Sequence, residues 1–219
     1  MRMPPERTVA PTRIEPRLKT QFGRATSAMV GLTLLASIVN YASNIIFSRL
    51  LSPASYGDLT ALIAFSVIVA VPTGAAQTMV AERIAILLAE GKHDQARYLI
   101  RHAVAHVATI ALILGLAYTA CIPLIKPALG LQAIGPAIAL APLLMLSFAI
   151  PVAFGVLQGM ERFITLGALL LVVAISRIVI GVPWTLAGGG AGGPLFGQAI
   201  GCLLAIGATG LLLRGHLLG

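Results

Sequence analysis

Acid is scarce in this chain. Asp and Glu together number 7 of 219 residues, against 15 Lys and Arg, and charged residues of both signs make up only 10%. A typical soluble domain carries about 25%. With 58% hydrophobic residues, the chain has too little polar surface to coat a soluble globule. The same balance excludes disorder. Cysteine is scarce too. Cys121 and Cys202 stand alone in apolar stretches, which excludes a disulfide scaffold and predicts both to be buried hydrophobes. Zinc and redox spacings are missing. No carboxylates pair and no Ser-His-Asp set is present, so the sequence offers an enzyme no catalytic residue and calls for no cofactor.

What is there is length without charge. Ala25 to Ser48, Leu59 to Ala81 and residues 127–160 carry no charged side chain. At 1.5 Å per residue, a run of roughly 24 residues reaches about 36 Å, enough to cross a bilayer core. The pattern predicts an all-α polytopic membrane protein with six transmembrane helices. The expected spans are 25–48, 59–81, 102–122, 136–158, 163–186 and 195–213. Residues 1–24 are basic and contain Pro4, Pro5, Pro11 and Pro16, which predicts a mobile tail. The apolar run after them is too long for a signal peptide. Ser55 or Asp58 is the expected cap of helix 2 and Asp94 that of helix 3. Pro72 and Gly74 predict a kink or an unwound turn in helix 2. Pro142 and Pro151 predict a bend in helix 4, and Gly91 a stop after helix 2. Pro123, Lys126 and Pro127 are expected to end helix 3. The glycines from Gly188 to Gly193 read as a turn. They lack the Lys-Ser/Thr that would make them a phosphate loop.

The net charge of +8 does not mark a nucleic-acid binder, because the basic residues sit at the ends of apolar runs. With the N-terminus inside, twelve Lys and Arg fall on inner segments. These are six in the tail, then Arg83, Lys92, Arg97, Arg101, Arg162 and Arg214. Only Arg49 and Lys126 fall outside. This asymmetry predicts a multi-pass protein of the cytoplasmic (inner) membrane with both termini cytoplasmic.

Arg177 is the one cation expected within a span. A charge at that depth costs about 2.5–3.5 kcal/mol on the insertion scale, so it needs a partner. Spans 3 to 6 contain no Asp or Glu. The functional reading is a wet cavity that binds an anionic group, and the plain one is a structural contact or snorkelling. Asn40, Asn44 and Ser48 recur every four residues on helix 1, as do Thr73 and Gln77 on helix 2, and Gln158 lies near the end of helix 4. Such stripes line cavities or bond helices together. Gly193, Gly197, Gly201, Ala205 and Thr209 form a small-residue stripe suited to packing within the bundle or to a dimer face. His102 and His106 have the spacing of a metal pair, but no third ligand accompanies them. No metal site is expected.

Arg49 to Gly57, RLLSPASYG, resembles the RLL-x-P-x-x-Y/F-G turn of the polysaccharide-transporter family, with Arg49, Pro53, Tyr56 and Gly57 at the matching positions. Val156 to Phe163 is similar to its LQG-x-x-R/K-F segment through Gln158, Gly159, Arg162 and Phe163. Glu90 to Arg101 also fits the opening of helix 3. This family of flippases for lipid-linked oligosaccharides belongs to the multidrug/oligosaccharidyl-lipid/polysaccharide flippase superfamily. The resemblance covers about residues 25–215. It implies one six-helix lobe of a two-lobe fold around a cationic cavity, moving a lipid-linked saccharide by alternating access. A second lobe, in cis or in trans, or a homodimer, would complete the cavity. Membrane lipid is the other expected partner, and nucleic acid is not one. Two rivals remain at this point. One is a drug/cation antiporter of the same superfamily, which wants an intramembrane acid. The other is a non-transporting scaffold of a polysaccharide-assembly complex, whose basic tail binds anionic lipid.

Overall fold

The structure, a computed structural model, describes residues 16–217, with side chains described over 27–214. Its elements are α1 (Pro16–Leu50), α2 (Pro53–Ala89), α3 (His93–Ala128), α4 (Gly135–Gly159), α5 (Phe163–Val179), the short α6 (Gly181–Trp184), a π-helical turn (Thr185–Gly189) and α7 (Gly192–Leu217). There is no strand among the described residues. Six segments are long and apolar enough to cross a membrane, beginning with Ser27–Leu50 and ending with Gly192–Arg214. The chain is a multi-pass membrane protein.

Three of the loops are closed by the same device. Gly91 and Gly130 adopt φ of 71° and 65°. Their N–H groups bond back to Leu88 and Pro127, and the next residues, Lys92 and Leu131, bond to Leu87 and Lys126. This paired pattern satisfies the last carbonyls of α2 and α3. Glu161 does the same after α4 with φ of 56°, and Arg162 N–H reaches Leu157 O. A side chain in that conformation is strained where glycine would not be.

The helices overrun the expected boundaries. α1 begins at Pro16 rather than at 25, so residues 16–24 are helical, and the expected mobile tail otherwise lies outside the described residues. α3 continues through Pro123 and Pro127 to Ala128, and α2 runs unbroken through Pro72 and Gly74. In hydrocarbon the backbone has no water to turn to, so a helix that loses one bond at proline is still cheaper than an unwound turn. Neighbouring hydroxyls bond the helix carbonyls, as Thr73 Oγ1 does to Ala70 O at 2.6 Å. The cap of α2 is Ser52, which accepts from Ser55 N; Ser55 and Asp58 are not the cap. Asp94 lies inside the first turn of α3, where Lys92 is the N-cap without a side-chain bond. The fifth span runs over Phe163–Gly189, with α5 followed by α6 and the π turn. Gly188 in that turn and Gly190 just after it take positive φ.

α4 and α7 occupy the middle of the lobe and are its most buried spans. α2 and α3 pack on α4, while α1 packs on α5, and α5 on α7. The main core joins Phe47, Leu59, Leu62, Leu140 and Leu195. α1 and α2 hardly touch beyond the turn that joins them, and they are the most exposed spans. The lobe therefore presents two separated arms.

Candidate functional site

The first arm holds Arg177. Glycines let α1 lie close along α5. A Cβ at Gly167 would come 2.9 Å from Leu32 Cβ, and one at Gly181 would come 3.0 Å from the Phe47 ring. These contacts bracket Arg177 and bring Asn44 beside it. Arg177 Nη2 donates to Asn44 Oδ1 at 3.1 Å. The arginine is only 6% exposed. No carboxylate faces it in an ion pair among the described residues. Its Nε is buried with no hydrogen-bond partner, and so is Ser43 Oγ, next to Asn44 on α1.

The small-residue stripe fixes the backbone of that arginine from behind. A Cβ at Gly197 would lie 2.8 Å from Gly181 N, 2.9 Å from Ser176 O and 3.1 Å from Arg177 O. Gly193 meets Thr185 and Gly181 O, and Gly201 meets the Ser176 hydroxyl. Ala205 is buried against Phe154, Leu157, Leu166 and Leu169. These residues of α7 sit against α4, α5 and α6 within the lobe, and the main chain of Arg177 rests directly on Gly197.

The second arm holds Gln77 and Gln158. Cβ atoms at Gly155 and Gly159 would each fall 2.6 Å from a carbonyl oxygen of α2, that of Gln77 and that of Ala81. Gly159 thus permits the α2–α4 crossing, and Gln158 beside it accepts from Gln77 Nε2 at 3.3 Å. The five polar candidates do not form one cluster. Gln158 is at the end of α4, whereas Arg177 lies about 14 residues into α5, roughly 21 Å along the lobe. Asn40 is exposed on α1.

In the motif turn, Pro53 is the first residue of α2, where its missing N–H costs nothing. Arg49 is exposed, and Tyr56 N–H bonds Ser52 O. Gly57 is exposed and a Cβ there would meet nothing within 4 Å, so nothing in this lobe demands glycine at 57. Arg162 and Phe163 open α5.

Asp58 has a place that sequence reasoning missed. It is 5% exposed. Both its oxygens accept from Gln132 N–H at 3.2 Å, and Oδ2 also accepts from Ala133 N–H at 3.4 Å. The carboxylate pins the α3–α4 loop to the start of α2. No spacing rule links residues 74 apart. The only sequence signal was an acid beside an otherwise uncharged helix. No group of three metal-ligating side chains occurs among the described residues. His102 and His106 turn Nδ1 to the Tyr98 and His102 carbonyls.

No family model and no curated protein matches the chain. Solved structures do. A MATE protein in complex with Br-NRF matches with TM-score 0.67 and 18% identity over 89% of this chain and 46% of that one. An outward-facing multidrug resistance MATE family transporter of the MOP superfamily gives 0.67 and 20% over 89% and 45%. A MOP superfamily transporter from Pyrococcus furiosus, described as having a binding pocket of reverse polarity, gives 0.67 and 21% over 89% and 44%. The chain spans less than half the length of each of these proteins. Its fold is that of one lobe of a MATE-like transporter.

Proposed function

We propose that this lobe is half of a transporter for lipid-linked oligosaccharide or polysaccharide precursors, and that Arg177 receives the anionic diphosphate of the substrate. The reading is supported above all by a guanidinium buried at membrane depth with an amide, and no carboxylate, as its side-chain partner. Such a charge is stabilised by an anion brought to it. Asn44 holds the guanidinium. Movement of α1 away from α5 frees it for the diphosphate. The two arms, α1 on α5 and α2 on α4, shift against each other as access alternates. A second lobe, in the same polypeptide or in another copy, closes the cavity over the arms. The N-terminus and the α2–α3 hairpin face the cytoplasm, where the basic residues gather.

A cation antiporter of the same fold fits less well. It needs an open intramembrane carboxylate. Asp58 is the one buried acid among the described residues, and its oxygens are taken by backbone N–H groups. The test is glycan export in cells that carry the protein at its normal level. Arg177→Ala abolishes export and Arg177→Lys retains part of it. Unchanged export in both variants would refute the reading.

A further inference from the structure

The charge-free part of α2 ends at Ala81, while the helix continues to Ala89. Those added turns carry the α2–α3 hairpin about 12 Å past the hydrocarbon, into the layer of phospholipid headgroups. A cavity of about 730 Å³ opens there between the two helices, lined by Arg83, Glu90, Lys92, Asp94, Gln95 and Tyr98. Lys92 Nζ and Glu90 Oε2 pair at 2.7 Å. Arg83 and Asp94 have no ion pair among the described residues. One open cation and one open anion therefore line the same cavity, with Ile86 and Leu99 as apolar wall.

We propose that this cavity binds the headgroup of a zwitterionic phospholipid bearing a primary ammonium, its phosphate on Arg83 and its ammonium on Asp94 and Gln95. A purely anionic headgroup would leave Asp94 unmatched and meet repulsion. A trimethylammonium headgroup cannot donate a hydrogen bond to Asp94, and it is bound by aromatic cages. Tyr98 is the one ring in this lining. The exposed Tyr98 suits the interface.

The test is native mass spectrometry of the purified full chain after exchange into equimolar phosphatidylethanolamine, phosphatidylcholine and phosphatidylglycerol. Phosphatidylethanolamine is retained about fivefold over phosphatidylcholine, as one net hydrogen bond from its ammonium, which choline cannot make, allows. Asp94→Asn removes that preference, and Arg83→Gln lowers phosphatidylethanolamine retention. Lys126→Gln, at the other end of the lobe, changes neither. Melting temperatures confirm that the exposed substitutions leave the fold intact. Equal retention of the three lipids by the unaltered chain would overturn the proposal. So would an undiminished preference in well-folded Asp94→Asn.

Discussion

Arg177 and Asn44 meet side chain to side chain across two helices, Nη2 to Oδ1 at 3.1 Å, while Arg177 Nε stays buried without a partner. A neutral amide satisfies part of the guanidinium and none of its charge. Asn44→Asp would supply the missing counter-charge from within. The expected result is a lobe more resistant to heat in detergent but inactive in glycan export, since α1 is then tied to α5 by an ion pair. A variant that exports normally would show that the two groups need not part.

Gly197 bears on the same arginine from the other side. Any Cβ there falls within 3.1 Å of three backbone atoms of the α5–α6 segment. Gly197→Leu should destabilise the lobe by about 3 kcal/mol or more, because backbone cannot move aside as a side chain can. Gly207, on the same helix, has nothing within 4 Å of a Cβ. Gly207→Ala should be neutral or stabilise by up to about 1 kcal/mol. Thermal unfolding of the two variants side by side checks this contrast.

Asp58→Asn should loosen the α3–α4 loop. An amide keeps one acceptor oxygen and turns an NH2 group toward backbone donors. The expected loss is about 1–3 kcal/mol. Hydrogen exchange at the Gln132 and Ala133 amides should speed up while exchange in the α2–α3 loop stays constant. If both amides remain protected, the loop is held by something other than this carboxylate.

Glu161→Gly should stabilise the α4–α5 turn by about 1 kcal/mol, since glycine carries no penalty at a φ of 56°. A melting curve of the variant against the unaltered chain reads this directly. A lower melting temperature would mean that the glutamate side chain does more at this turn than the backbone strain costs.

The six spans were legible because a charge-free run long enough to cross a bilayer has few other uses. Gly91 was legible as a stop for a local reason, its access to positive φ. The same local logic misplaced the end of α3, where Pro123 and Pro127 stay helical because lipid gives their neighbours no other hydrogen-bond partners. It also misplaced the cap of α2, since Ser52, Ser55 and Asp58 are all capable of capping and only packing decides among them. Arg177 stood out by its depth, but its contact with Asn44 depends on how glycines on α5 and α6 admit α1. The clamp at Asp58 and the separation of Gln77–Gln158 from Arg177 are tertiary facts with no periodic signature.

The central claim is that Arg177 is an anion site. The most direct measurement is the binding of a polyprenyl diphosphate-linked disaccharide to purified full chain, beside the same lipid saccharide without its phosphates. The account predicts that the diphosphate form binds the unaltered chain more tightly. It predicts that Arg177→Ala erases that difference, a loss of about tenfold or more for one charged hydrogen-bonding group, and that Arg177→Lys restores part of it. Equal binding of the diphosphate lipid by folded Arg177→Ala and the unaltered chain would contradict it.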